Sequence, residues 1–293
     1  MKYLEKLNPE ELRIINKVNQ AKQNMDNFPF RFGYFDETRY LFRATDFYPH
    51  DRTFAKRDVQ YPPSDKLEKV QLGRCNFEHQ AIFYAASNCA GALIESSSCF
   101  RGEVKDAQYY YISRWKVVKP FTVVDFYLKT ITEDTNPKLK EEIEKWELEI
   151  RETEPNYDYA IDLLRFCGDR FAISGNSGYS FTANLSNLLY NQPIEGRTIC
   201  GLTYTGAKED FSIGKCWENY SNIALVPELI ENGSLVLVDV IKVKITSDSE
   251  IFINLESATE KSDVITNDIK LIDESILTKT RIDEIVSEII HGN

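Results

Sequence analysis

Tyr84 and Glu95 fall eleven residues apart in the stretch GRCNFEHQAIFYAASNCAGALIES, residues 73–96. The run AIFYAAS is short and apolar with an aromatic near its end. It predicts a strand with Tyr84 at its C-terminal edge and Ser87 capping the helix that follows. In that helix Ala90, Gly91 and Ala92 have almost no side chain, so another backbone or a flat ligand can approach closely. Glu95 lies roughly two to three turns in. The stretch thus offers a phenol ring and a carboxylate beside a surface open to close approach. The same residues also fit a core tyrosine and a solvent-facing glutamate near a helix end, and taken alone the stretch leaves both readings open.

Other residue types narrow the chemistry. Arg52, Lys56 and Arg57 make a basic loop that could reach a phosphate, although charged loop residues are usually only solvated. His50, His79 and His291 are too scattered for a catalytic triad or a metal site. The six cysteines, at 75, 89, 99, 167, 200 and 216, contain no CxxC pair and no zinc-type Cys/His spacing. They read as reduced, mostly buried thiols of a cytoplasmic protein, with no metal expected. GNSGYS is glycine-rich but lacks the P-loop lysine and the Rossmann spacing, so it reads as a loop.

These residues must be positioned by a chain of 293 residues, 42% of them hydrophobic, which can supply a sizeable core. Its net charge of −11 argues against a general nucleic-acid or acidic-membrane binder while leaving room for a small anionic ligand. The sequence has no signal-peptide pattern and no apolar run of about eighteen residues, so no membrane span is expected. Asn8, Pro9, Glu10 and Glu11 start a helix to about Asn24. FPFRFGYFDETRYLFRATDF alternates like a pair of strands around a turn at Asp36 and Glu37, and residues 54–72 read as loop. Two strands flank Lys119 and Pro120. Helices follow from Pro137, with an Ile143, Trp146, Ile150 stripe, and from about Tyr157 to Phe171. FTANLSNLL predicts a short helix, TICGLTYTG and GSLVLVDVIKVKIT predict strands, and the end reads as a strand or two before a helix begun near Thr280. The pieces interleave as an α+β fold.

The order of several of these features is similar to one known family. An arginine on an early strand (Arg43 in YLFRATDF) precedes a Gly-Arg-x-Asn turn (Gly73, Arg74, Asn76), a strand ending Tyr84-Ala85, and a small-residue helix ending in Leu93-x-Glu95. FTANLSNLL then precedes GLTYTG and SNIALVP, with an Asn-x-x-Leu element at Asn222 and Leu225. In this order the chain resembles the RES domain, which is named for an arginine, a glutamate and a serine and includes toxins of bacterial toxin–antitoxin pairs. The resemblance covers most of 39–245, with 1–38 as an N-terminal helical extension and first strand, a helical insertion at about 130–172, and 246–293 as a C-terminal strand and helix extension. One departure stands out. Where the family strand runs Tyr-Pro-Ser, this chain has Tyr204, Thr205 and Gly206.

The resemblance implies an ADP-ribosyltransferase-like core of small packed β-sheets with flanking helices, acting on NAD as its substrate. It implies cleavage of the nicotinamide–ribose bond by a glycohydrolase or a phosphorylase that uses inorganic phosphate, as in a growth-inhibiting toxin with a cognate antitoxin protein. The alternatives are a protein ADP-ribosyltransferase, whose insertion recognises a target, and a catalytically silent NAD-binding module, which Gly206 favours. Because the nicotinamide ring already carries the positive charge, its departure needs no strong general acid. In this assignment Arg43 contacts pyrophosphate, Tyr84 stacks on nicotinamide, and Glu95 binds ribose hydroxyls and favours the cationic centre. Arg74, Asn76, Thr205, Asn222 and Arg52 are the further candidates for substrate contact, with turn support an equal role for Arg74 and Asn76.

Overall fold

Asn8 opens the first helix with a reciprocal cap. Its side chain accepts from the Glu11 N–H at 2.9 Å, while the Glu11 carboxylate accepts from the Asn8 N–H at 3.0 Å, which satisfies two donors that the first turn leaves without helical partners. The helix so begun, α1 (Pro9–Lys22), buries Ile14, Ile15 and Val18. The structure is a computed structural model that describes residues 2–23, 28–46, 56–98, 106, 108–133, 135, 137–206, 221–245, 250–256 and 277–278.

β1 (Phe32–Phe35) and β2 (Tyr40–Asp46) flank the expected turn, where the Asp36 carboxylate accepts from the Thr38 N–H at 3.0 Å. Next come α2 (Lys56–Val59) and a 3-10 turn at Ser64–Lys69, so the segment read as loop holds two short helical turns. β3 (Phe83–Ala86), α3 (Cys89–Ser96), β4 (Gln108–Val117) and β5 (Phe121–Phe126) follow. Then come α4 (Pro137–Thr153), α5 (Tyr157–Ala172), α6 (Tyr179–Leu189), β6 (Pro193–Ile194) and β7 (Arg197–Tyr204). The described chain ends with β8 (Asn222–Leu225), α7 (Glu228–Glu231), β9 (Leu235–Ile245), β10 (Glu250–Glu256) and β11 (Leu277–Thr278). The helix expected near Thr280 lies outside the described residues.

The fold is mixed α+β. Among the described residues the strands join in one path, β1-β5-β7-β8-β3-β2-β4-β9-β10-β11, with β6 beside β7, rather than in several small sheets. β5 and β7 are parallel and the other pairs antiparallel. β1 and β2 do not pair with each other: β1 lies on β5, and β2 lies between β3 and β4. The path narrows at β2–β3, where Phe42 opposite Ala86 is the one paired position. Two halves of the sheet therefore meet at a thin seam, and α3 packs against β2 beside it.

The helical segment after β5 is joined to this core. A Cβ on Gly168 would come far inside 3.0 Å of the Leu128 carbonyl oxygen, so α5 lies directly on the chain leaving β5. Leu164, Cys167 and Phe171 of α5 are buried, and Phe171 stacks on Phe126 and Tyr204 with centroids at 5.1 and 5.0 Å. α4 buries Leu139, Ile143 and Ile150, as its stripe predicts.

Candidate functional site

A cavity of about 300 Å³ opens at the seam, lined in part by Arg43, Arg74, Asn76, Tyr84, Glu95 and Asn222. Five separate elements supply these side chains: β2, the turn before β3, β3 itself, α3 and β8.

The turn is built around the Tyr84 hydroxyl. It accepts from the Cys75 N–H at 2.8 Å and donates to Asn76 Oδ1 at 2.7 Å. Asn76 is buried, and its amide nitrogen donates to the Gln71 and Phe77 carbonyls at 2.9 and 2.8 Å. Both amide hydrogens are thereby used on the protein, which makes Asn76 a support of the turn. Gly73 is required there because a Cβ would collide with Asn76 Oδ1. Burial pushes the Tyr84 phenol well above its ordinary range, so it stays protonated and keeps its donor role.

Two guanidinium groups face the same space. Arg43 donates to the Tyr84 carbonyl at 2.8 Å, from one side of the seam to the other, and its guanidinium lies 5.7 Å from the Phe83 ring centroid. Burial pushes it down to about 10, which still leaves it charged at neutral pH. Arg74 donates to the Ile173 carbonyl at 3.1 Å and lies 5.4 Å from the Tyr179 ring centroid. Arg43 Nε and Arg74 Nη1 are buried with no hydrogen-bond partner among the described residues. An orphaned buried donor is unfavourable, so anionic oxygens that reach these groups gain charge-assisted bonds.

Glu95 sits near the end of α3, which Asn88 rather than Ser87 caps, by accepting from the Gly91 N–H at 2.7 Å. Ser87 Oγ instead accepts from the Ser221 N–H at 2.9 Å, tying β3 to the start of β8. Asn222 Nδ2 donates to Glu95 Oε1 at 3.0 Å. Gly206 lies against the same carboxylate. Thr205 is not part of this group: its fully buried hydroxyl donates to the Tyr127 carbonyl at 2.9 Å, because the strand alternation that turns Tyr204 into the cavity turns Thr205 away from it. Arg52 lies outside the described residues. Sequence reasoning did not assign Tyr179 and Tyr204 to the site, although both line it; Tyr204 is signalled by the tyrosine that opens the Tyr-Thr-Gly run.

His79 is held elsewhere, with Nδ1 3.1 Å from the Leu67 carbonyl and a φ of 62° in the turn. Two other cavities differ in kind. One of about 830 Å³, lined by Phe28, Phe30, Tyr159, Lys17 and Lys22 among others, gathers none of the predicted site residues. One of about 410 Å³ contains Asp125, Thr203, Arg39, Trp146 and Ser221. Among the described residues there is no cluster of three or more His, Cys, Asp or Glu that could hold a metal, and no helix is long and apolar enough to cross a membrane. No protein-family model, curated protein or solved structure matches the chain.

Proposed function

We propose that this chain is an NAD-consuming enzyme of RES type, with an ADP-ribosyltransferase-like core, that cleaves the nicotinamide–ribose bond as a glycohydrolase or phosphorylase. The observation that carries the reading is the convergence of Arg43, Tyr84 and Glu95 on one cavity from β2, β3 and α3. Fifty-odd residues of sequence separate the first of these from the last, and each has the chemistry that the reaction requires at a different part of the substrate.

Arg43 and Arg74, which both line the cavity, bind the pyrophosphate through their guanidinium groups. The Tyr84 ring, held by its hydroxyl, forms a wall for the nicotinamide. Glu95 accepts from ribose hydroxyls and stabilises the positive charge that builds at the anomeric carbon. As the C–N bond breaks, the pyridinium nitrogen takes the electron pair and nicotinamide leaves neutral. Water then adds to the sugar carbon and gives up a proton, yielding ADP-ribose; inorganic phosphate adding there instead yields the 1-phosphate.

The burial of α5 in the core gives no support to a free target-recognition appendage, so protein modification is the weaker alternative. Gly206 in place of the serine favours a silent binding module as the second reading. Purified protein with NAD, with and without phosphate, separates these possibilities by chromatography. Nicotinamide release stimulated by phosphate identifies the phosphorylase, and release without stimulation the hydrolase. NAD binding with no release over hours selects the silent module and overturns the enzyme.

A further inference from the structure

Gly206 has no left-handed φ, so its backbone does not demand glycine. What demands glycine is space. A Cβ built on it would fall well inside 3.0 Å of both Glu95 Oε1 and Asn222 Nδ2, a separation that Cβ atoms essentially never show, and 3.1 Å from Glu95 Cδ. Any side chain at 206 and the present position of the Glu95 carboxylate exclude one another.

Asn222 fixes the same group from the other direction. As the first residue of β8 it is paired with Tyr204 of β7 and Ala86 of β3, so its backbone is held on both sides. It is 7% exposed, and its amide donates to Glu95 Oε1 at 3.0 Å. A glutamate side chain has three rotatable bonds before its carboxylate, and a helix end leaves all of them to be set by contacts. Here one contact is a hydrogen bond and the other is a glycine that the carboxylate presses against.

We infer that Gly206 and Asn222 are positioning residues that together form a seat for the Glu95 carboxylate and set its direction toward the reacting sugar. The catalytic consequence rests on the NAD-cleavage reading, whereas the seat itself rests on geometry alone. Both atoms that a new Cβ would strike are side-chain ends. The fold absorbs a methyl group by moving them, and the orientation of Glu95 is what is lost.

The test uses the full chain with Gly206→Ala and Asn222→Ala, followed by crystal structure, thermal unfolding and NAD kinetics. The expected result is Glu95 displaced from the Asn222 amide in Gly206→Ala. Each variant should lower kcat by about 100-fold, the loss associated with misplacing a catalytic group by about an ångström, with KM changed less than about threefold. The double variant should be little worse than either single one, because both remove the same feature. Wild-type kcat in both variants, or an undisplaced Glu95 still bonded to Asn222 beside the new methyl group, overturns the proposal while leaving NAD cleavage standing. Should Gly206→Ala fail to fold, Asn222→Ala, which only deletes atoms, decides. If the wild-type chain binds NAD without releasing nicotinamide, the cleavage reading fails and the crystallographic arm alone decides the seat.

Discussion

Two carboxylates lie on opposite faces of β7 and β8 and are kept in different company. Tyr204 and Asn222 line the cavity of Glu95, while their chain neighbours Thr203 and Ile223 line the cavity of Asp125, as the alternation of a strand requires. Glu95 is held by an amide, beside two arginines with unused donors. Asp125 accepts from the Thr203 hydroxyl, and burial drives its carboxyl up to about 6 in spite of that bond and of Arg31 and Arg39 nearby. One cavity gathers two guanidinium groups, whereas the other holds a carboxyl whose charged form burial disfavours. The difference teaches that a buried acid is not by itself a sign of catalysis. What marks the Glu95 side is that two arginines with partnerless buried donors line the same cavity.

The comparison breaks most sharply on activity. Glu95→Gln should reduce nicotinamide release by at least about 100-fold, since a positioned charge is removed where charge develops, while Asp125→Asn should leave release within about threefold. Equal losses in a chromatographic assay would erase the distinction between the faces. Next is the support of the first cavity. Tyr84→Phe strands the Cys75 N–H and Asn76 Oδ1, so urea unfolding should show a loss of about 2 kcal/mol. Arg43→Lys keeps the charge but loses the planar fork, and calorimetry should find NAD bound about tenfold more weakly; Arg39→Lys, on the other face, should leave affinity unchanged.

The smallest effect concerns Asp125 and stability. Its folded pKa of about 6 lies above the unfolded value of about 3.9, so the folded state holds the proton more tightly. Stability should therefore fall as pH rises from about 4 to about 6, and the full penalty should be present at neutral pH. Arg31 and Arg39 oppose the rise, and Glu142 and Lys145 also border the cavity. Asp125→Asn should accordingly stabilise the protein clearly at pH 7 and much less at pH 4. A gain that is the same at both pH values would mean that the carboxyl does not carry the penalty.

Local signals in the chain were the readable ones. The Asn8 cap, the Ile143–Trp146–Ile150 stripe, the helix over FTANLSNLL and the strand before α3 all depend on neighbours in sequence, and all appear in the structure, although Tyr84 is the second of the four residues of β3 rather than at its C-terminal edge. Partnerships were not readable. β1 and β2 look like a hairpin from their turn, yet each completes a different half of the sheet, because a turn fixes reversal and not pairing. Ser87 and Asn88 are both good caps by type, and the competition was settled by Ser221, which claims the serine. Arg43, Arg74, Asn76, Tyr84, Glu95 and Asn222 line one cavity. That Asn76 serves the turn and Thr205 faces away depends on side-chain directions that composition does not carry.

The narrow join between Phe42 and Ala86 gives the molecule a mechanical weak point. Arg43 already throws one strap across it, to the Tyr84 carbonyl. A guest gripped by Arg43 on one bank and by Tyr84 on the other would act as a second rivet, so occupancy should register in the backbone as slower amide exchange along β2 and β3, well beyond the atoms it touches.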